Sequence, residues 1–243
     1  MTMSHTTSGI LRMAATLAIV AALLAACSSS RDDTGTEAEG TTPSGHGTQT
    51  ETATADTAKS EQYVFRTLDP DFDAKYRITM DLLDGYEPVI DGGPVFGSDP
   101  GQGMSVWTVG NVYARPCRSN GTLLDPPIDS SVEALVAGLQ SQKGREATAP
   151  TDVELDGYAG KYMEMTVPAR IDVSKCDGGE YRTWVDTTHD GERSLEAGQR
   201  DLLWILDVDG IRLVIDSALG PQTTEKDRAD RVRMVESIRI EPV

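Results

Sequence analysis

Three thiols, one histidine loop, two aspartate groupings and one glycine cluster are where this chain could do chemistry. Cys27 stands in "LLAACSSS", while Cys117 and Cys176 lie far downstream in "YARPCRS" and "VSKCDGG". No C-x-x-C pair occurs, which argues against a zinc site or a dithiol redox motif. "LDVDG" spaces Asp207 and Asp209 as the start of a calcium loop would. Such a loop needs glycine at its sixth position and glutamate at its twelfth, where Arg212 and Ala218 stand. "DPDFDAKYRITM", residues 69–80, lacks the same two residues and reads as a solvated loop. "GSDPGQG", residues 97–103, lacks the Lys-Ser/Thr of a phosphate cradle and also reads as a loop. A serine triad needs a histidine base. His5 and His46 precede the folded region, so only His189 in "TTHDGERS" remains, and no G-x-S-x-G occurs. These residues name no catalytic set, no metal site and no cofactor. Serine–lysine and paired-carboxylate chemistry stay open.

The elements around Cys27 give it a different meaning. "MAATLAIVAALLAA" is an apolar run of 14 residues, preceded by Arg12. A membrane-spanning helix needs roughly 20, so the run reads as the core of an export signal. The tetrad Leu24-Ala25-Ala26-Cys27 then resembles the lipobox of bacterial lipoproteins. That resemblance implies cleavage before Cys27, a diacylglycerol thioether on its sulfur, and residence on the extracytoplasmic face of the cell membrane. One acyl chain binds marginally at about 0.8 kcal/mol per buried methylene, whereas two or three hold firmly. The alternative, an ordinary secretory signal with a stray cysteine, leaves the agreement of core length, small residues and thiol unexplained.

Residues 28–60 contain no Val, Ile, Leu, Met, Phe, Trp or Tyr. Such a segment cannot offset the entropy of folding. It reads as a tether spanning roughly 30 Å as a flexible coil and about 110 Å when stretched. The organisation expected is a signal over residues 1–26, a lipidated cysteine and tether over 27–60, and one extracytoplasmic domain over 61–243.

That domain carries 33 acidic against 19 basic side chains. The balance argues against nucleic acid and against anionic head groups, and fits a solvated surface or a cationic partner. With Cys27 modified and the chain exported, Cys117 and Cys176 are expected to form one disulfide. Closing a loop of about 60 residues is worth about 4 kcal/mol in the chain-entropy account.

Periodicity supplies the fold. "YRITMDLL" alternates apolar and polar side chains as a strand does, and "MSVWTVGNVYARPC" reads as a second. Val132, Leu135, Val136 and Leu139 share one helix face, capped by Asp129 or Ser130, with Ser130 and Glu133 in capping-box spacing. "VELDGYAGKYMEMTV" is a hairpin turning at Asp156-Gly157, and "YRTWVDT" is a strand. In "DLLWILDVDGIRLVIDSAL", Leu202 to Leu206 are apolar without alternation, so both faces are expected to be covered. After the Asp209-Gly210 turn, Ile211, Leu213 and Ile215 alternate with Arg212 and Asp216. Pro221 is expected to open a helix capped by Thr223 or Thr224, with Ala229, Val232, Met234 or Val235, and Ile238 as its stripe; "SIRIEP" closes as a strand. Trp107, Trp184 and Trp204 fall on strands and are expected to pack in the core, given the area an indole buries; a groove is the alternative for Trp184, flanked by Arg182, Val185 and Asp186.

The lipobox, the tether, "VYARPC", "GYAGKYMEMTVP", "WILDVDGIRLVIDSA" and "MVESIRI" together resemble uncharacterised actinobacterial lipoproteins. The element order is similar to the PsbP-like α/β domain. The resemblance implies an α+β fold, an antiparallel sheet with helices packed on both faces in a PsbP-like sandwich. It also implies a domain that binds or scaffolds and seldom catalyses. The expected function is recognition of an envelope protein or small molecule, with the membrane reached through lipid on Cys27. An envelope hydrolase using acidic or Ser/Lys groups, and a carrier of an apolar ligand, are the alternatives.

Overall fold

Asp209 and Gly210 turn the chain with φ of +51° and +85°. Two successive positive φ values define the turn whose twist matches that of its flanking strands. Asp156 and Gly157 repeat the arrangement, again at +51° and +85°. Each turn joins two long antiparallel strands, and the rest of the fold assembles on these hairpins.

The computed structural model describes residues 61–97 and 103–243. The expected signal, the lipidated Cys27 and the tether fall outside the described residues, as do residues 98–102 of the glycine-rich loop. The strands are β1 (Glu61–Phe65), β2 (Tyr76–Leu82), β3 (Glu87–Pro88), β4 (Val95–Phe96) and β5 (Gly103–Val112). They continue with β6 (Glu146–Ala147), β7 (Thr151–Leu155), β8 (Tyr158–Thr166), β9 (Tyr181–Asp186), β10 (Glu192–Leu195), β11 (Arg200–Val208), β12 (Ile211–Leu219) and β13 (Arg239–Pro242). The helices are α1 (Pro70–Asp73), α2 (Val132–Ser141) and α3 (Glu225–Glu236). No helix among the described residues is long and apolar enough to cross a membrane.

A large sheet runs β10-β9-β5-β12-β11-β8-β6, with β4 also on β5 and β7 on β8. A small sheet runs β1-β2-β13. Every recorded strand pairing is antiparallel. Alternate residues of β11 enter different cores. Leu202, Trp204 and Leu206 join the small sheet, Met234 and Val235 of α3, and Ile238. Leu203 and Ile205 join Val132, Leu135, Val136 and Leu139 of α2. A strand packed on both sides has no use for alternation, which is why its sequence lacks it.

Several expectations change. Arg212 and Asp216 do not point to solvent: β12 is buried from Arg212 to Leu219, with Arg212 at 6% and Asp216 at 0% exposure. Arg212 donates to the carbonyls of Val109 at 2.5 Å and Ser131 at 2.9 Å, and to that of Asp129. It thereby fastens the start of α2 to the sheet. Burial pushes its guanidinium down to about 10.

The cap of α2 is Ser131, whose Oγ accepts from the Ala134 amide at 3.2 Å. Asp129 instead accepts from the Ser131 amide. The Ser130–Glu133 box does not form, because the helix starts one residue later than that pairing requires. Pro221 lies ahead of α3 rather than opening it; Thr224 caps α3 and completes a capping box with Asp227. Ala229 is exposed, and Arg231 takes the inward position, donating to the Ala218 carbonyl at 2.6 Å. The stretch 69–80 is not all loop: it contains α1 and the first five residues of β2, the strand expected at "YRITMDLL". Asp69 caps α1, accepting from the amides of Asp71 and Phe72.

Candidate binding cleft

The chain leaving β1 and the loop between β3 and β4 are drawn together by backbone bonds. The Arg66 amide donates to the Gly92 carbonyl at 2.8 Å. The Tyr63 hydroxyl, pushed above its ordinary pKa chiefly by burial, donates between the carbonyls of Ile90 at 3.1 Å and Gly93 at 2.9 Å. Gly92 has φ +75°, and a Cβ there would lie 2.7 Å from Arg66 Cγ. Glycine is therefore required both by the backbone and by the arginine stem lying over it.

This junction leaves a cavity of about 160 Å³ against β5. Phe65, Leu68, Ile90, Pro94, Val106 and Trp107 form most of its wall, with Ser105 and Arg66 as its polar members. Trp107 is held by a 2.8 Å bond from Nε1 to Ser105 Oγ and by edge-on packing against Trp184, with ring centres 6.0 Å apart. Leu68 and Ile90 keep 53% and 64% of their surface exposed. Exposed aliphatic side chains around an apolar hollow are the usual form of a binding site.

A second cleft, of about 230 Å³, adjoins the first across Phe65 and Arg66 and continues to Val64, Asp73, Tyr76 and Arg77. Asp73 Oδ1 accepts from both the amide and the hydroxyl of Thr67 at 3.0 Å. The Tyr76 hydroxyl donates to Asp209 Oδ2 at 2.6 Å, and that bond pushes it up to about 12.

The two carboxylates most shielded from water lie elsewhere. Asp201 and Asp216 have no side-chain exposure. Asp201 Oδ2 accepts from Arg145 at 2.6 Å, and its Oδ1 accepts from Gln199 at 2.5 Å. Asp216 Oδ2 accepts from Arg193 Nε at 2.6 Å, while its buried Oδ1 has no partner among the described residues. Burial, opposed by Arg193 and reinforced by Asp201, pushes Asp216 up to about 6. Each acid is thus locked to a guanidinium inside the protein, and neither lines the two clefts described above.

The structure disperses the other sequence candidates. Cys117 and Cys176 are joined in a disulfide with Cα atoms 4.5 Å apart. His189 sits in the β9–β10 turn with φ +63°. Asp207 accepts from the Gly210 amide at 2.6 Å, and Asp209 holds Tyr76, so both serve the hairpin and its neighbour. Among the described residues, no three His, Cys, Asp or Glu side chains are placed to hold one metal ion. Trp184 is fully buried, the core packing expected of it, and lies opposite Val112 with both in the cluster under α2. Trp107 lines the cavity.

No family model and no curated protein sequence matches this chain. Solved structures similar to it include the following two. One is the crystal structure of LpqN, involved in cell envelope biogenesis of Mycobacterium tuberculosis. The identity is 11% and the TM-score 0.39, over 75% of this chain and 91% of that one. The other is the solution structure of cyanobacterial PsbP from Synechocystis. The identity is 14% and the TM-score 0.35, over 80% of this chain and all of that one. Both likenesses concern the fold alone.

Proposed function

We propose that this protein is a lipid-anchored domain of the cell envelope that binds an apolar group of a small molecule without chemical turnover. The single observation carrying the reading is the hollow between Phe65, Pro94, Val106 and Trp107, with Leu68 and Ile90 exposed at its mouth. An apolar cavity of about 150 Å³ admits a benzene ring, so this one is matched to a phenyl-sized group. The anchor rests on the lipobox-like "LAAC" and the apolar run before it. The scaffold is read as a sandwich: α2 covers one face of the large sheet, and α3 with the small sheet covers the other. The two separate apolar clusters support that reading.

The test uses the full chain carrying Cys27→Ser, titrated calorimetrically with 4-phenylbutanol. Saturable binding is expected, and Leu68→Asp abolishes it without changing the thermal midpoint, because Leu68 is half exposed. Absence of binding, or equal binding by Leu68→Asp, overturns the proposal. The anchor has its own readout: labelled palmitate enters the wild-type protein and not Cys27→Ser.

A further inference from the structure

We infer that the ligand class is an anionic amphiphile, held by a local cationic site against the acidic balance of the whole domain, its apolar end in the Phe65–Trp107 cavity and its charged head on Arg66 and Arg77. This inference rests on the reading of that cavity as a binding site. Phe65 and Arg66 line both clefts, so the two share a wall. A molecule with its tail in the first that reaches past Arg66 places its head at the second.

The register of the small sheet brings two cations together there. Phe65 lies opposite Ile78 at the end of the β1–β2 ladder, and the flanking residues Arg66 and Arg77 are both exposed and both line the second cleft. Eight other described arginines have a carboxylate within 4.0 Å: Arg118, Arg145, Arg182, Arg193, Arg200, Arg228, Arg233 and Arg239. No such ion pair involves Arg66 or Arg77 among the described residues. Among them Arg115, Arg170 and Arg212 also lack such a pair, but Arg66 and Arg77 line one cleft together, beside Asp73 and Val243. The acids nearest by position are otherwise disposed. Asp73 shares the cleft but accepts twice from Thr67. Glu241 lies opposite Arg77 on β13 without forming an ion pair.

Like charges side by side repel, and an anion bridging two guanidinium groups removes that repulsion while gaining charge-assisted hydrogen bonds. A carboxylate or phosphate head serves equally. The Arg66 stem, packed over Gly92, fixes one cation at the boundary between the apolar and polar compartments.

Three probes sharing one phenyl tail separate the claims: 4-phenylbutyrate, 4-phenylbutanol and 4-phenylbutylamine, each titrated into the full chain carrying Cys27→Ser. The butyrate is expected to bind about tenfold more tightly than the alcohol, the contribution of two partly exposed ion pairs, with the amine weakest. Arg66→Gln with Arg77→Gln should bring the butyrate-to-alcohol affinity ratio from about tenfold to about one, whatever the alcohol's own affinity becomes. If no probe binds, the cavity reading itself falls. If the alcohol binds but the butyrate binds no better, or the double variant keeps the preference, the head-group assignment alone falls.

Discussion

Arg145→Met tests what the buried ion cluster does for stability. The wild-type cluster is balanced, with two arginines against Asp201 and Asp216. Methionine replaces the aliphatic stem of Arg145 but removes its 2.6 Å contact with Asp201 and its 2.9 Å bond to Thr183 Oγ1. Two carboxylates then share Arg193, which stands 3.8 Å from Asp201. Breaking a fully buried pair by deleting one partner costs about 3–5 kcal/mol, because the surviving charge has lost both water and counterion. With a urea slope of about 2 kcal/mol/M, the midpoint should fall by about 1.5–2.5 M. Equilibrium urea unfolding followed by far-UV circular dichroism measures this. Asp201→Leu added to Arg145→Met should recover most of the loss, since it removes the stranded charge as well. A midpoint within about 0.5 M of wild type for Arg145→Met alone would refute the reasoning, because a charge stranded in the core must cost several times that.

Two further expectations concern the same sheet. Asp216 is raised to about 6 from 3.8, so the native state holds a proton that the unfolded chain has already released. Its contribution to stability is complete below pH 4 and is lost as pH rises past 6. Asp216→Asn should therefore cost more at pH 4.5 than at pH 7 in paired thermal melts; a gap that widens toward pH 7 contradicts the sign. Gly160→Ala should destabilise by about 1–3 kcal/mol, because the new Cβ would lie 2.0 Å from the Ile205 carbonyl of the paired strand β11. A thermal midpoint matching wild type would show that β8 and β11 part more easily than their close approach suggests.

The long strands and both long helices were legible because their signals are local. Turn residues at Asp156-Gly157 and Asp209-Gly210, the unbroken run Leu202–Leu206 and the stripe of α2 each point to one element. What escaped was whatever depends on contacts far along the chain. β1 has a short alternating run that gains a partner only when it meets β2. α1 is one turn held by the Asp69 cap and reads as a loop by composition. Arg212 and Asp216 looked like solvent-facing positions because alternation reports a polar face, not a buried polar partner. The only local hint was apolar residues on both sides of each. The cavity was the least legible feature: its wall comes from three stretches, around Phe65, Ile90 and Val106, that share no motif.

The position of β1 has a mechanical consequence. It is an edge strand, joined in the small sheet to β2 alone. Any pull transmitted along the chain ahead of Glu61 arrives first at its five residues, before the ten-stranded sheet bears any strain. Those residues include Phe65, and Arg66 follows directly. Tension from the amino-terminal side would act first on Tyr63 and Phe65, so the hollow would lose Phe65, and the core its edge, before the strands of the larger sheet part.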